Sequence, residues 1–198
     1  MIKKIAITGG IGSGKSTFSN LILKKGFSLM DSDKEVSQIY ERPSKDFLNY
    51  LEKIGLSSSI KNKKINKKLI TKIIFTNKLI KKKLEKYIYK IIRKRRANFI
   101  KEEIKKREKI IFFDIPLLFE NNMQEGFDVV VCIISKRRER YKRLKKSKKM
   151  KKEIFEAILK SQTTDLVRKK KSDIVLLNNH SMKTYKHKLA NILTKLIQ

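Results

Sequence analysis

The feature that most restricts what this chain can become is Gly9-Gly10-Ile11-Gly12-Ser13-Gly14-Lys15-Ser16, set between two segments of different periodicity. Upstream, Lys3–Thr8 is a short apolar run suited to a buried strand. Downstream, Lys15–Lys25 carries Phe18, Leu21 and Ile22 at helical spacing and stops at Gly26. The loop between them matches G-x-x-x-x-G-K-[ST]. Its glycines allow backbone angles that aim successive N–H groups at one anion, and the helix beginning there adds its positive dipole end. Lys15 is then placed for the β- and γ-phosphates of a nucleotide and the Ser16 hydroxyl for Mg²⁺. Gly10, Ile11, Gly12, Ser13, Gly14, Lys15, Ser16 and Thr17 are the expected nucleotide-binding residues.

The order strand, phosphate loop, helix, strand opens an α/β fold with a parallel sheet. Phe27–Met30 is the second strand, ending in Asp31-Ser32-Asp33, and Lys109–Asp114, Phe127–Ile134 and Asp173–Leu177 complete five. From Lys34 to about Arg107 the pattern is helical and polar, with Leu69, Ile73, Ile80, Leu84, Ile88 and Ile91 at roughly helical intervals. No strand is expected there, and Lys61–Lys68 reads as an exposed turn. Lys136–Lys160 is helical and strongly basic, with a break around Ser147–Met150. Ser181–Ile197 closes the chain as a helix with Tyr185, Leu189, Ile192 and Leu196 inward. At 198 residues one domain is expected.

Acids at strand ends are the next candidates, because ligands bind at the C-terminal edge of such sheets. Transfer of a phosphoryl group to a hydroxyl needs a carboxylate near the acceptor proton. Asp31 and Asp33, alternating in an extended segment, would face opposite ways, so only one points into the cleft; Asp33 is favoured, with Asp31 the alternative. A capping role at the following helix is the competing reading of each. Asp114 ends the third strand and suits a carboxylate supporting Mg²⁺ from behind its ligands, or a strand-end cap. Pro116 with Leu117, Leu118 and Phe119 would wall the cleft, and Glu120 would reach the acceptor or lie in solvent. Arg137, Arg138, Arg140 and Arg143 cluster after the fourth strand. Guanidinium forks suit the charge on a transferring phosphoryl group, so Arg143 is favoured, then Arg140. Asn178, after the fifth strand, is placed to touch a nucleotide base. His180 and His187 have no acid or cysteine spacing that suggests metal ligation.

The formal net charge is +32, and one Cys, Cys132, lies in an apolar run as a core thiol. Lysines are spread along the chain rather than gathered in a tail, which reads as a solvated surface and not as a specific nucleic-acid site. No stretch approaches the roughly 18 apolar residues of a membrane span, so a soluble cytoplasmic protein with no membrane partner is expected.

Taken together, Thr8 to Thr17, Asp31-Ser32-Asp33, Asp114-Ile115-Pro116-Leu117-Leu118-Phe119-Glu120, Gln162, and Ser172 through Asn179 resemble the dephospho-CoA kinases, in order and separation, over nearly the whole chain. The resemblance implies a P-loop kinase core (about 1–33, 108–135 and 163–198), a helical CoA-binding insertion (about 34–107) and a lid region (about 136–162). It implies ATP as co-substrate with Mg²⁺ and the ribose 3′-hydroxyl of dephospho-CoA as acceptor. Asp33 becomes the base, with Lys15 and lid arginine at the transferring phosphate. Thr8, Asp33, Asp114, Pro116, Leu117, Leu118 and Glu120 become acceptor-side residues. Two places depart from the family pattern. A His-Pro pair is replaced within Leu84-Glu85-Lys86-Tyr87-Ile88-Tyr89-Lys90, and Ser147 stands four residues after Arg143, where a second arginine is usual. The alternatives are a nucleoside or nucleoside monophosphate kinase, and a basic nucleic-acid-binding ATPase.

Overall fold

The structure is a computed structural model that describes residues 1–146, 150–179 and 181–198. The departure at Ser147, His180 and all of the expected break at Ser147–Met150 except Met150 lie outside the described residues. Backbone packing divides the chain into two compact units, Met1–Asp31 with Glu102–Gln198, and Ser32–Lys101.

The first unit holds a parallel sheet of β1 (Lys3–Thr8), β2 (Leu29–Asp31), β5 (Ile110–Asp114), β6 (Val129–Ile134) and β7 (Ile174–Leu177), in the order β2-β5-β1-β6-β7. Every pairing in it is parallel. That requires a crossover between successive strands, and covered faces turn the central strands into continuous apolar runs. Ile110–Asp114 is buried throughout. One face packs under α1 (Lys15–Lys24) and the C-terminal α9 (Met182–Ile197), whose Phe18, Ile22, Tyr185, Leu189, Leu193 and Leu196 meet Ile5, Ile7, Val131 and Ile133. Leu193 takes the buried place the periodicity gave to Ile192, which is only partly buried. Past β6 come α6 (Arg137–Lys146), α7 (Lys152–Ser161) and α8 (Asp165–Lys170). Cys132 is buried, and burial pushes its thiol up to about 11, as a core thiol requires.

The second unit contains α2 (Ser32–Glu41), α3 (Lys45–Lys53), β3 (Ile60–Lys61), β4 (Lys64–Ile65), α4 (Lys67–Thr76) and most of α5 (Lys78–Lys105). Side chains of Ser44, Asn66 and Asn77 accept from backbone N–H groups three residues on, which starts α3, α4 and α5 where the periodic runs begin. Phe47, Leu51, Leu56, Ile70 and Leu84 form its core. The expectation of no strand here is overturned. Ile60–Lys61 and Lys64–Ile65 pair antiparallel, and the turn between them places Asn62 and Lys63 at φ 51° and 60°. Those angles make the two-residue hairpin turn that matches strand twist, and Asn supplies the left-handed preference without a glycine. What read as an exposed turn is therefore a hairpin followed by the first turn of α4.

Candidate functional site

The phosphate loop leaves β1 at Thr8 and enters α1 at Lys15, and its outward-facing groups are held by other elements of the first unit. Gln162 Oε1 accepts the Ile11 N–H at 3.1 Å. Arg143 Nη1 donates to the Gly12 carbonyl oxygen at 3.2 Å. Asn178 Nδ2 donates to the Ser13 carbonyl oxygen at 2.8 Å, and the Tyr185 hydroxyl to that of Gly14 at 2.9 Å. By contrast, the N–H groups of Gly12, Gly14, Lys15 and Ser16 have no acceptor among the described residues. The Ser13 Oγ is likewise buried without a partner among them. A loop clamped from outside with its inner donors unused is a preorganised anion site.

Gly14 shows why the glycines are needed. Its φ is 108°, and a Cβ there would overlap Asn178 Nδ2. Gly10 is needed for a different reason: a Cβ would stand 2.5 Å from Arg140 Nη1 and 3.2 Å from Arg168 Nη1. Two guanidinium groups thus lie directly against the loop.

At the adjoining strand end, Asp114 accepts from the Ser19 hydroxyl at 2.7 Å, and its other oxygen is 4.0 Å from Lys15 Nζ. Register places Asp31 opposite Asp114, so both acids finish their strands at the sheet edge. Asp33 is not in an extended segment. It lies in the first turn of α2, in the second unit, where a carboxylate suits the positive helix end. The strand ends at Asp31, so extended alternation does not reach Asp33. Within that unit Arg95 pairs with Glu35 at 2.7 Å and donates to Gln38 at 3.3 Å, fixing α2 to α5.

Several expected contact residues have other places. Asn178 is buried, and its oxygen accepts from Arg143 Nη2 at 3.2 Å while its nitrogen holds Ser13, so its amide is occupied within the protein and not turned to a base. Thr8 is fully buried and donates to the Pro116 carbonyl oxygen at 3.3 Å, tying the loop's strand to the 114–120 segment. Leu118 and Phe119 belong to the core, so of the expected apolar wall the exposed Leu117 and the half-buried Pro116 remain. Glu120 is only partly exposed, and its carboxylate is engaged within the protein. Its Oε1 takes the Thr163 N–H at 2.7 Å and Arg168 Nη2 at 3.0 Å. Arg140 is buried rather than poised as a spare fork. Its Nε donates to the Ser135 carbonyl oxygen at 2.6 Å, and its Nη2 pairs with Asp165. Burial lowers its pKa and the Asp165 carboxylate works against that. Arg137 is exposed and pairs with Glu156 of α7. Ser16 and Thr17 open α1, with Ser16 exposed.

Sequence reasoning missed Asp165, Arg168, Ser19 and the clamping role of Tyr185. The signals were faint: an acid and an arginine three residues apart after Gln162, and a polar-tipped aromatic on the inward face of the last helix. Burial pushes the Tyr185 hydroxyl well above its usual range, so it stays a donor to Gly14. Arg140 and Arg168 also line a cavity of about 470 Å³, shared with Lys136, Arg137, Gln162, Thr164 and Asn179. Among the described residues no helix is long and apolar enough to cross a membrane.

The dephospho-CoA kinase family model matches residues 3–184. A dephospho-CoA kinase of Fusobacterium nucleatum is 38% identical over 179 residues, covering 90% of each chain. One from Listeria innocua is 31% identical over 193 residues, covering 97% of this chain and 96% of its own. Among solved structures, the dephospho-CoA kinase from Campylobacter jejuni superposes with a TM-score of 0.76 at 26% identity, covering 99% of this chain and 98% of that one. With a clamped phosphate loop, an acid at the adjoining strand end and a match along almost its full length, the chain belongs to the dephospho-CoA kinase family.

Proposed function

We propose that this protein transfers the γ-phosphate of ATP to the ribose 3′-hydroxyl of dephospho-CoA, giving CoA and ADP. The observation that carries this is the clamped loop, with its unused inner N–H groups and Lys15 beside Asp114, in a chain matched by the family from residue 3 to 184. The loop N–H groups and Lys15 hold the β- and γ-phosphates, which positions the phosphorus and offsets charge that grows during transfer. Arg143, anchored on Gly12, Ser135 and Asn178, adds positive charge at the loop rim. Asp33 takes the proton of the acceptor hydroxyl as its oxygen bonds to the γ-phosphorus and the bond to the ADP oxygen breaks. Thr8, Pro116, Leu118 and Glu120 then act by shaping the loop and its neighbouring segment, and Leu117 remains the acceptor-side apolar contact.

The Ser16 hydroxyl and the Asp114 carboxylate are hard oxygen donors beside the loop, a set that fits Mg²⁺. Ser16 would hold such an ion and Asp114 would support it from behind, and it would supply positive charge against the phosphates.

The test is ADP release from MgATP with dephospho-CoA, nucleosides, nucleoside monophosphates, nucleic acid or no acceptor, at moderate salt. Release that depends on dephospho-CoA, with CoA recovered, is the expected result. Release that depends on another acceptor, or stimulation by nucleic acid alone, overturns the reading.

A further inference from the structure

Among the described residues Arg168 is the largest fully buried side chain, at 1% exposure, and it is charged. Burying a guanidinium is costly unless its hydrogens are used, so its partners identify its work. Nη2 donates to Glu120 Oε1 at 3.0 Å and Nη1 to Asp165 Oδ1 at 3.1 Å. The other oxygen of Asp165 is taken by Arg140, itself buried, whose Nε holds the Ser135 carbonyl oxygen. One carboxylate therefore bridges two buried guanidinium groups, whose Nη1 atoms come within 2.5 Å (Arg140) and 3.2 Å (Arg168) of where a Cβ of Gly10 would be. Either side of this chain of charges is tied down as well: Glu120 holds the Thr163 N–H, and Gln162 holds the Ile11 N–H. The stretch 162–168 thus joins the loop, the 114–120 segment and α6.

A purely structural filler for this place would be an apolar side chain, since burying paired charges brings little net stability over a well-packed hydrophobe. What an apolar residue lacks is positive charge close to the loop and a planar fork that sets where Gly10 sits. We infer that Arg168 is a positioning residue for the phosphoryl donor: through Asp165 and Arg140 it holds the Gly10–Gly12 end of the loop in the form that accepts a nucleoside triphosphate. This rests on the loop being the donor site. Arg168 does not itself touch the reacting atoms, and its loss acts on donor binding while leaving acceptor binding alone.

The full-length protein and its Arg168→Met, Arg168→Lys and Asp165→Asn variants are compared for MgATP dissociation constant by calorimetry, and for the KM of dephospho-CoA. Arg168→Met is expected to weaken MgATP by about tenfold or more, the scale of losing charge-assisted bonds, with the acceptor KM within about twofold of the parent. Arg168→Lys keeps charge but loses the fork, so it falls between; it carries the comparison if the methionine variant does not fold. The double variant Arg168→Met/Asp165→Asn is expected to be no weaker than Arg168→Met alone within about twofold, because the two act as one unit. Unchanged MgATP binding in the variants, equal loss for donor and acceptor, or simple additivity overturns the inference while leaving the function intact. A parent protein that does not bind MgATP overturns both.

Discussion

Asn178 donates its side-chain amide to the carbonyl oxygen of Ser13 at 2.8 Å, across 165 positions of sequence, and both residues are buried. The contact fixes the loop just before Gly14, whose left-handed backbone leaves no room for a Cβ beside that amide. Asn178→Asp replaces the donor with an acceptor of equal size facing a carbonyl oxygen. Leaving such a buried group unsatisfied costs about 1–3 kcal/mol. The expected outcome is a lower melting temperature and weaker MgATP binding, read by thermal melts with and without nucleotide. An unchanged nucleotide-induced rise in melting temperature would show that the clamp does not matter to the loop.

Gly10→Ala tests the two guanidinium groups from the opposite side. The added methyl would lie 2.5 Å from Arg140 Nη1, so either the arginine or the loop must move. Overpacking of this kind costs about 1–3 kcal/mol, and if the loop moves it appears as a rise of about 5- to 150-fold in the MgATP dissociation constant. Equilibrium nucleotide binding reads it directly.

The difference between what the sequence foretold and what it concealed follows the range of the interactions. The loop, α1 and the five parallel strands were legible because glycine spacing and apolar runs are local signals that buried parallel strands make strong. The hairpin at Ile60–Ile65 was not, because two-residue strands carry no period and its turn uses Asn62-Lys63 in place of a glycine pair. The extended geometry expected at Asp33 is replaced by the start of α2, which no local signal before Ser32 marks. Arg168, Asp165 and Glu120 were illegible for another reason. Among so many basic side chains nothing local marks the few that are buried, and only folding brings residue 120 to residue 168.

Glu103 gives the fold a pH dependence. Its side chain is 3% exposed, accepting from Ser28 Oγ at 2.5 Å and Lys106 Nζ at 2.8 Å, which ties β2 to the end of α5. Burial pushes its pKa up, but the Lys106 ammonium and the Ser28 hydroxyl outweigh it and hold the carboxyl below its usual range. A carboxyl depressed by folding adds stability that is full above its unfolded pKa and is lost as pH falls through the folded one. Urea midpoints should therefore separate the parent from Glu103→Gln at pH 7, and the gap should close as the pH is taken below about 4. A gap that stays constant with pH would mean that the ionised form contributes nothing.

Asp33 is the residue on which the proposed transfer most depends, and it stands where a carboxylate is also stabilising for α2. The two roles separate by substitution. Asp33→Asn keeps a side chain able to accept a hydrogen bond at the helix start but cannot take a proton from the acceptor. It should lower turnover by about 10²–10⁴, the range for a positioned base, while MgATP affinity and melting temperature change little. Lys15→Ala should reduce both MgATP binding and turnover, since Lys15 serves the phosphates themselves. Steady-state kinetics with dephospho-CoA varied at saturating MgATP, together with nucleotide calorimetry, distinguishes the patterns. Near-normal turnover in Asp33→Asn would reduce that residue to a helix terminus, and the base would then have to be sought among Asp31 and Asp114, the two acids that end neighbouring strands in register.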